Sequence, residues 1–555
     1  MTRSRSTRFR QLAALVVAAV SLTACAASER TERGGGEGGT MTFGAAGAPS
    51  LFDPFYATDG ETFRISRQIF EGLVGIEPGT SKLEPELATG WERSPDGRTW
   101  TFTLQEGVRF HDGTEFNAGA VCANFERMFN QTGAGQSEAN SYYWINNFGG
   151  FADGAAPSLY KSCTAPNPTT AVIRLTRNTG KFPALLSLPS FSMQSPTAMA
   201  RYQANNVRAQ GEGFVYSEYA TSHPTGTGPF RFGSYDEANG TVELARNDEY
   251  WGKRAKLERL IFRVIPDETA RRQALQAGEI DGYDFPSPAD WQGLRDAGFN
   301  LQIREPFNIL YLGISQKDDP ALRDLRVRQA LAYAIDRETL VSAALPDGAE
   351  VAKIFYPDTV EGYTEDVQTY PYDPERARQL LAEAGQPNLT VDFYWPTEVT
   401  RPYMPDPQGI FGAIREDLEA VGIRVNPISR PWAGGYTDTV EVGNAPVFLL
   451  GWTGDYNSPD NFIGTLFGNT TGMFYTTQSP WGQELADHLR VADAEPNEQR
   501  RIAMYEEINR SLMSEYLPAV PLAHSPPAIV TSENVGGLVP SPLTREEFAP
   551  VTVTD

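Results

Sequence analysis

Leu389-Thr390-Val391-Asp392-Phe393-Tyr394-Trp395 alternates apolar and polar side chains; Ile410, Phe411, Ile414, Leu418 and Val421 recur at helical spacing. The first pattern has period two and reads as a strand; the second lays one apolar stripe along a helix. Between them Asp406-Pro407 supplies an N-cap and a proline at the first helical position, and Gly422 ends the helix. Ile423 to Ile428 is a second short strand, and Pro446 to Leu450 is a continuous apolar run, as in a strand covered on both faces. Toward the N-terminus, Phe307 to Ile314 reads as a strand, Asp324 caps a helix through Leu331 to Leu340, and Asp373-Pro374 opens another that stops at Gly385. Strands alternating with helices define an α/β lobe.

The first half is more mixed. Thr99 to Leu104 is a half-buried strand, Asp112-Gly113 a turn and Asn117 to Asn130 a helix. Ile261 to Ile265 is a strand, and Thr269 to Ala277 a helix stopped by Gly278. No internal repeat stands out.

The chain has 555 residues, more than one ordinary domain holds. With 40% hydrophobic residues it can bury real cores, which excludes a wholly disordered chain. The formal charge of −23 repels phosphate backbones and argues against a nucleic-acid partner.

Arg3, Arg5, Arg8 and Arg10 precede an uncharged run from Leu12 to Leu22. That run gives about 17 Å of helix, short of the ~30 Å hydrocarbon core, so residues 1–24 read as a secretory signal. Ala26 to Thr40, with Gly34-Gly35-Gly36 and Gly38-Gly39, reads as a flexible tether. Outside the cytoplasm the pair Cys122 and Cys163 favours a disulfide, the alternative being two buried thiols.

In open α/β sheets ligands sit beyond the carboxyl ends of strands. Arg401 follows the strand at 389–395 and Asp455 follows the one at 446–450, so one cation and one anion stand on loops that can share a rim. Tyr403 flanks the first; Trp452 and Tyr456 flank the second. A zwitterion matches such a pair; the alternative is two solvated loop charges. The four histidines form no short metal-ligand pattern and there is no Cys-x-x-Cys, so no structural metal is expected. No Walker sequence and no Gly-x-Ser-x-Gly elbow occurs, so the chain neither hydrolyses nucleotide by that motif nor carries that nucleophile.

Leu22-Thr23-Ala24-Cys25 resembles the lipobox of bacterial lipoproteins, which implies cleavage before Cys25 and diacylation of it; the alternative is a plain secretory peptide. From Met41 onward the chain resembles the extracytoplasmic solute-binding proteins of peptide-type ABC importers, the oligopeptide, dipeptide and nickel group. The resemblance rests on Leu51-Phe52-Asp53-Pro54, Ile69-Phe70-Glu71-Gly72-Leu73, Leu87-Ala88-Thr89-Gly90-Trp91-Glu92, Val108-Arg109-Phe110-His111-Asp112-Gly113, Gly226-Thr227-Gly228-Pro229-Phe230, Arg326-Val327-Arg328-Gln329-Ala330-Leu331 and Gly451-Trp452-Thr453-Gly454-Asp455, in one order along the chain.

The resemblance implies a two-lobed α/β clamshell. Lobe I holds residues 41–304, with an extra subdomain at about 76–220, and receives 519–555 back; lobe II holds 305–518; residues 25–40 are the lipid-anchored tether. It implies that Asp455 meets a peptide ammonium, that Arg401 of Thr400-Arg401-Pro402-Tyr403 meets its carboxylate, and that the lobe I edge at Thr58-Asp59-Gly60-Glu61 pairs with peptide backbone, through Gly60 and Glu61. The expected protein is a monomeric, non-catalytic receptor without cofactor, held outside the cytoplasmic membrane by Cys25. It delivers short peptides to a membrane permease. Alternatives are another polar solute such as a nickel chelate or, from a different class, a secreted hydrolase.

Overall fold

Seven strands form the sheet of the first lobe, in the order Phe230–Asp236, Thr241–Arg246, Arg259–Val264, Thr40–Ala45, Gly282–Asp284, Ala528–Thr531 and Asn300–Ile303. Six form that of the second: Glu350–Val351, Ala519–His524, Asn308–Ile314, Val447–Thr453, Thr390–Thr397 and Arg424–Pro431. The computed structural model describes residues 38–211 and 213–554. Cys25 and the signal at 1–24 lie outside the described residues, as does most of the expected tether. At its end the backbone is already bonded: Gly38 N–H donates to the Lys256 carbonyl and Glu258 N–H to that of Gly39.

An antiparallel four-stranded sheet, Ala88–Arg93, Thr99–Leu104, Thr170–Leu175 and Tyr160–Asn167, forms a separate unit beside the first lobe. The helix Ala118–Phe129 covers it, capped by the Asn117 side chain, and a disulfide joins Cys122 on that helix to Cys163 on the sheet.

The chain crosses between the large sheets twice, at 304–307 and at 525–527. The second crossing lies later than the boundary expected at 519. Ala519–His524 is fully buried and pairs with Asn308–Ile314, so it stays in the second sheet. Pro526-Pro527 then ends that ladder, because proline has no N–H to donate. Arg304 binds the crossings together: its N–H donates to the Pro527 carbonyl, while its guanidinium reaches Asp284 Oδ1 at 2.6 Å and Glu546 Oε1 at 2.7 Å.

The helix expected to run from Asp324 to Leu340 is two helices, Leu325–Ala334 and Arg337–Ala344. Ile335 is extended between them, and Asp336 starts the second by accepting the Thr339 N–H at 3.0 Å. An N-cap side chain competes with continuation of the first helix, and here it prevails.

The two lobes are closed on each other. Ile76, from the first half of the chain, belongs to the second lobe's apolar core. Reciprocally, Tyr456, just beyond the second lobe's strand Val447–Thr453, is 2% exposed within the core around the four-stranded sheet.

Candidate functional site

Three parallel strands of the second lobe, Arg424–Pro431, Thr390–Thr397 and Val447–Thr453, lie side by side and release their loops at one edge. Phe393 is paired with Val447, and Arg401 and Asp455 each stand eight residues beyond those partners (401 − 393 and 455 − 447). The two charges therefore leave the sheet at the same level from adjacent strands, whose axes are about 4.8 Å apart. Trp432 follows the third strand directly, and the Arg401 guanidinium lies 4.2 Å from its ring centroid.

Arg401 sits in a tight turn closed by its own N–H on the Met404 carbonyl and the Met404 N–H on its carbonyl, at 3.1 and 2.9 Å. Its Nε is buried without a protein partner. Tyr403, expected to line the site, is instead 5% exposed and packed on the sheet. A Cβ at Gly451 would stand 2.3 Å from the Tyr403 ring, so that close approach requires glycine. Tyr403 supports the turn of Arg401 from below.

Asp455 is held by its neighbours. Its N–H donates to Asn461 Oδ1 at 2.7 Å, and its carboxylate accepts the Tyr143 hydroxyl at 3.3 Å. Burial pushes its pKa up to about 6, against the Asn461 amide, the Tyr143 hydroxyl and the Arg67 charge, which pull the other way. Desolvation disfavours the charged form, so a cation arriving at Asp455 relieves an existing penalty. Trp452 is half-buried and its indole N–H lies 3.4 Å from Asn461 Oδ1. Tyr456 does not open onto the rim; its hydroxyl donates to Asn147 Oδ1 at 3.3 Å, pinning the lobes together.

Gly60 and Glu61, expected on the lobe I edge, stand at a helix start. They form the first turn of the helix Gly60–Ile69, because Asp59 caps the Thr62 N–H at 2.8 Å. Glu61 Oε2 lies 3.6 Å from Arg64 Nε, and burial pushes the Glu61 carboxyl up. The same helix carries Phe63, whose ring centroid is 5.6 Å from that of Tyr143, and Arg67. Thus Asp455, Tyr143, Phe63 and Arg67 form one cluster, and Arg401, Trp432 and Tyr403 another. Sequence reasoning missed Arg67 and Asn461. Arg67 is four residues after Phe63 on one helix face, but no local pattern says that this face meets residue 455.

Among the described residues no group of three or more His, Cys, Asp or Glu could hold a metal ion. His111 is half-buried and His524 buried, they are bonded to the Gly228 and Asn308 carbonyls, and desolvation pushes both down to about 4. No described helix is long and apolar enough to cross a membrane.

Two α/β lobes joined by two crossings and shut on each other define an extracytoplasmic solute-binding fold. The chain belongs to the bacterial extracellular solute-binding proteins, family 5, whose middle-region model matches residues 82–474. It is 31% identical to heme-binding protein A of Haemophilus influenzae over 98% of this chain and 97% of that one. It is 30% identical to the dipeptide-binding protein of Escherichia coli over 93% and 94% of the two chains. The solved dipeptide-binding protein of a Pseudoalteromonas species, in complex with Met-Leu, superposes with a TM-score of 0.75 at 25% identity, covering 93% of this chain and all of that one.

Proposed function

We propose that this protein is the substrate-binding component of an ABC importer. It captures short peptides outside the cytoplasmic membrane and hands them, unaltered, to a permease. The observation that carries the reading is the paired exit of Arg401 and Asp455 from adjacent parallel strands, each half-buried, the first with its Nε unpartnered and the second with its carboxyl pushed up by burial. The relatives named for dipeptides support the ligand class. Asp455 takes the α-ammonium, Arg401 the α-carboxylate, and Trp452 and Trp432 wall the space between. Lobe I comprises residues 41–304, with its subdomain at about 76–220, and lobe II runs from 305 to the crossing at 525–527. The chain acts as a monomer, tethered through a lipidated Cys25 after loss of residues 1–24.

Removing one partner of an enclosed ion pair strands the other charge and costs roughly 3–5 kcal/mol. Asp455→Ala therefore weakens binding of a dipeptide such as Met-Leu by about a hundredfold or more, read by titration calorimetry. Unchanged affinity removes Asp455 from the site. A second reading, a haem or metal-chelate ligand, draws on the 31% identity to heme-binding protein A. Mass spectrometry of the solute co-purified with the native protein separates the two.

A further inference from the structure

Arg64 and Arg67 stand one turn apart on the helix Gly60–Ile69, and their surroundings differ. Arg64 is ion-paired to Asp284, with Glu61 and Glu546 within 4.0 Å. Among the described residues no carboxylate stands at ion-pair distance from Arg67. Its Nη1 donates to the Thr544 carbonyl at 3.0 Å, its guanidinium lies 5.9 Å from the Phe63 ring centroid, and its Nε is buried without any partner. Burial and the neighbouring Arg545 and Arg64 charges push it down to about 9, while Glu546 and Asp455 hold it up.

Glu546 and Asp455 act on Arg67 only from beyond ion-pair distance, so a ligand anion that reaches its unpartnered Nε lowers the cost of keeping the cation desolvated. No protein carboxylate makes that direct contact, and Arg67 is linked through Phe63 and Tyr143 to Asp455, the position assigned to the ligand's ammonium. Asp455 and Arg67 each alter the other's ionisation, and Phe63 and Tyr143 bridge them by contact. Together they present a carboxylate and a guanidinium to one end of the ligand. The complement is a residue that carries an ammonium and a carboxylate close together.

We infer that Arg67 is a specificity-determining residue of the peptide site, selecting peptides whose first residue has an acidic side chain. The ammonium of that residue meets Asp455, its side-chain carboxylate meets Arg67, and Arg401 is left for the far carboxylate. This rests on the peptide-binding reading above. For a neutral first residue, Arg67 repels the arriving ammonium and recovers nothing in exchange.

Calorimetry with Glu-Leu and with its neutral isostere Gln-Leu tests the assignment. A charge-assisted hydrogen bond in a desolvated site predicts that the wild-type protein binds Glu-Leu about tenfold or more tightly. In Arg67→Gln that preference disappears. Equal affinities in the wild-type protein overturn the inference, with no variant needed; so does a preference that persists in Arg67→Gln. If the wild-type protein binds neither peptide but retains a different co-purified solute, the peptide reading itself falls, and this inference with it. Equal binding of both peptides leaves the peptide reading standing and removes only the role of Arg67.

Discussion

Asp455 shows how one buried carboxyl ties binding to pH. Its pKa is raised from 3.8 to about 6 by burial, and Tyr143, Asn461 and Arg67 limit the shift. An ammonium ligand requires the ionised form. As pH falls below about 6 the empty site protonates, so peptide affinity drops by up to roughly tenfold per pH unit. For the unliganded protein the sign is opposite. The folded state holds a proton that the unfolded chain has released between about pH 4 and 6, so this group destabilises the empty fold as pH rises through that window. Calorimetry at about pH 7 and pH 5, with thermal unfolding of the empty protein at the same two values, reads both trends. A pH-independent affinity across that interval would show that Asp455 is not the ammonium's partner.

At the scale of elements, side-chain caps decide where helices begin. Asn117, Asp373 and Asp406 each accept an N–H from the first turn of the helix they precede. These are contacts over three residues, and for that reason they are legible in the sequence. The helix expected to reach Leu340 failed on the same physics: Asp336 is a cap that the apolar pattern hid. The disulfide between the helix Ala118–Phe129 and the strand Tyr160–Asn167 closes 41 residues. In the chain-entropy model a loop of that length stabilises by about 4 kcal/mol. Replacing Cys122 and Cys163 together by serine should therefore lower the denaturant midpoint substantially, with an unfolding free energy smaller by about that amount.

At the scale of the molecule, one polar device ties the crossings to the first lobe and another joins the lobes. Near the crossings, Arg304 and Glu546 are almost wholly buried and bonded to each other, with Asp284 between Arg304 and Arg64. Arg304→Met leaves two buried carboxylates under-compensated and should cost about 3–5 kcal/mol in thermal or denaturant unfolding. The other device joins the four-stranded unit to the second lobe. Lys181 pairs with Asp460, Thr179 Oγ1 donates to Asp493 Oδ1 at 2.7 Å, Gly180 N–H donates to the Asp493 carbonyl at 2.7 Å, and Asn178 donates to the Ala494 carbonyl at 2.7 Å. None of these needs a ligand. Lys181→Met, which also strands Asp460, should shift the empty protein toward an open form and weaken ligand binding by about tenfold. Small-angle scattering reads the first effect as a larger radius of gyration; an unchanged radius would show that the closed state does not depend on this contact.

By itself the sequence determined what near neighbours decide. That includes the α/β alternation of the second lobe, most helix starts and the two loops that carry Arg401 and Asp455. The tertiary structure decided what lies across the chain. Tyr143 reaches Asp455 over 312 residues and Lys181 reaches Asp460 over 279, and no local period or cap encodes such pairings. It also moved Ala519–His524 into the second sheet and placed Gly60-Glu61 at a helix start. The reason is physical: secondary structure answers to residues three or four apart, while burial, and the charge state that follows from it, answers only to what the whole fold brings near.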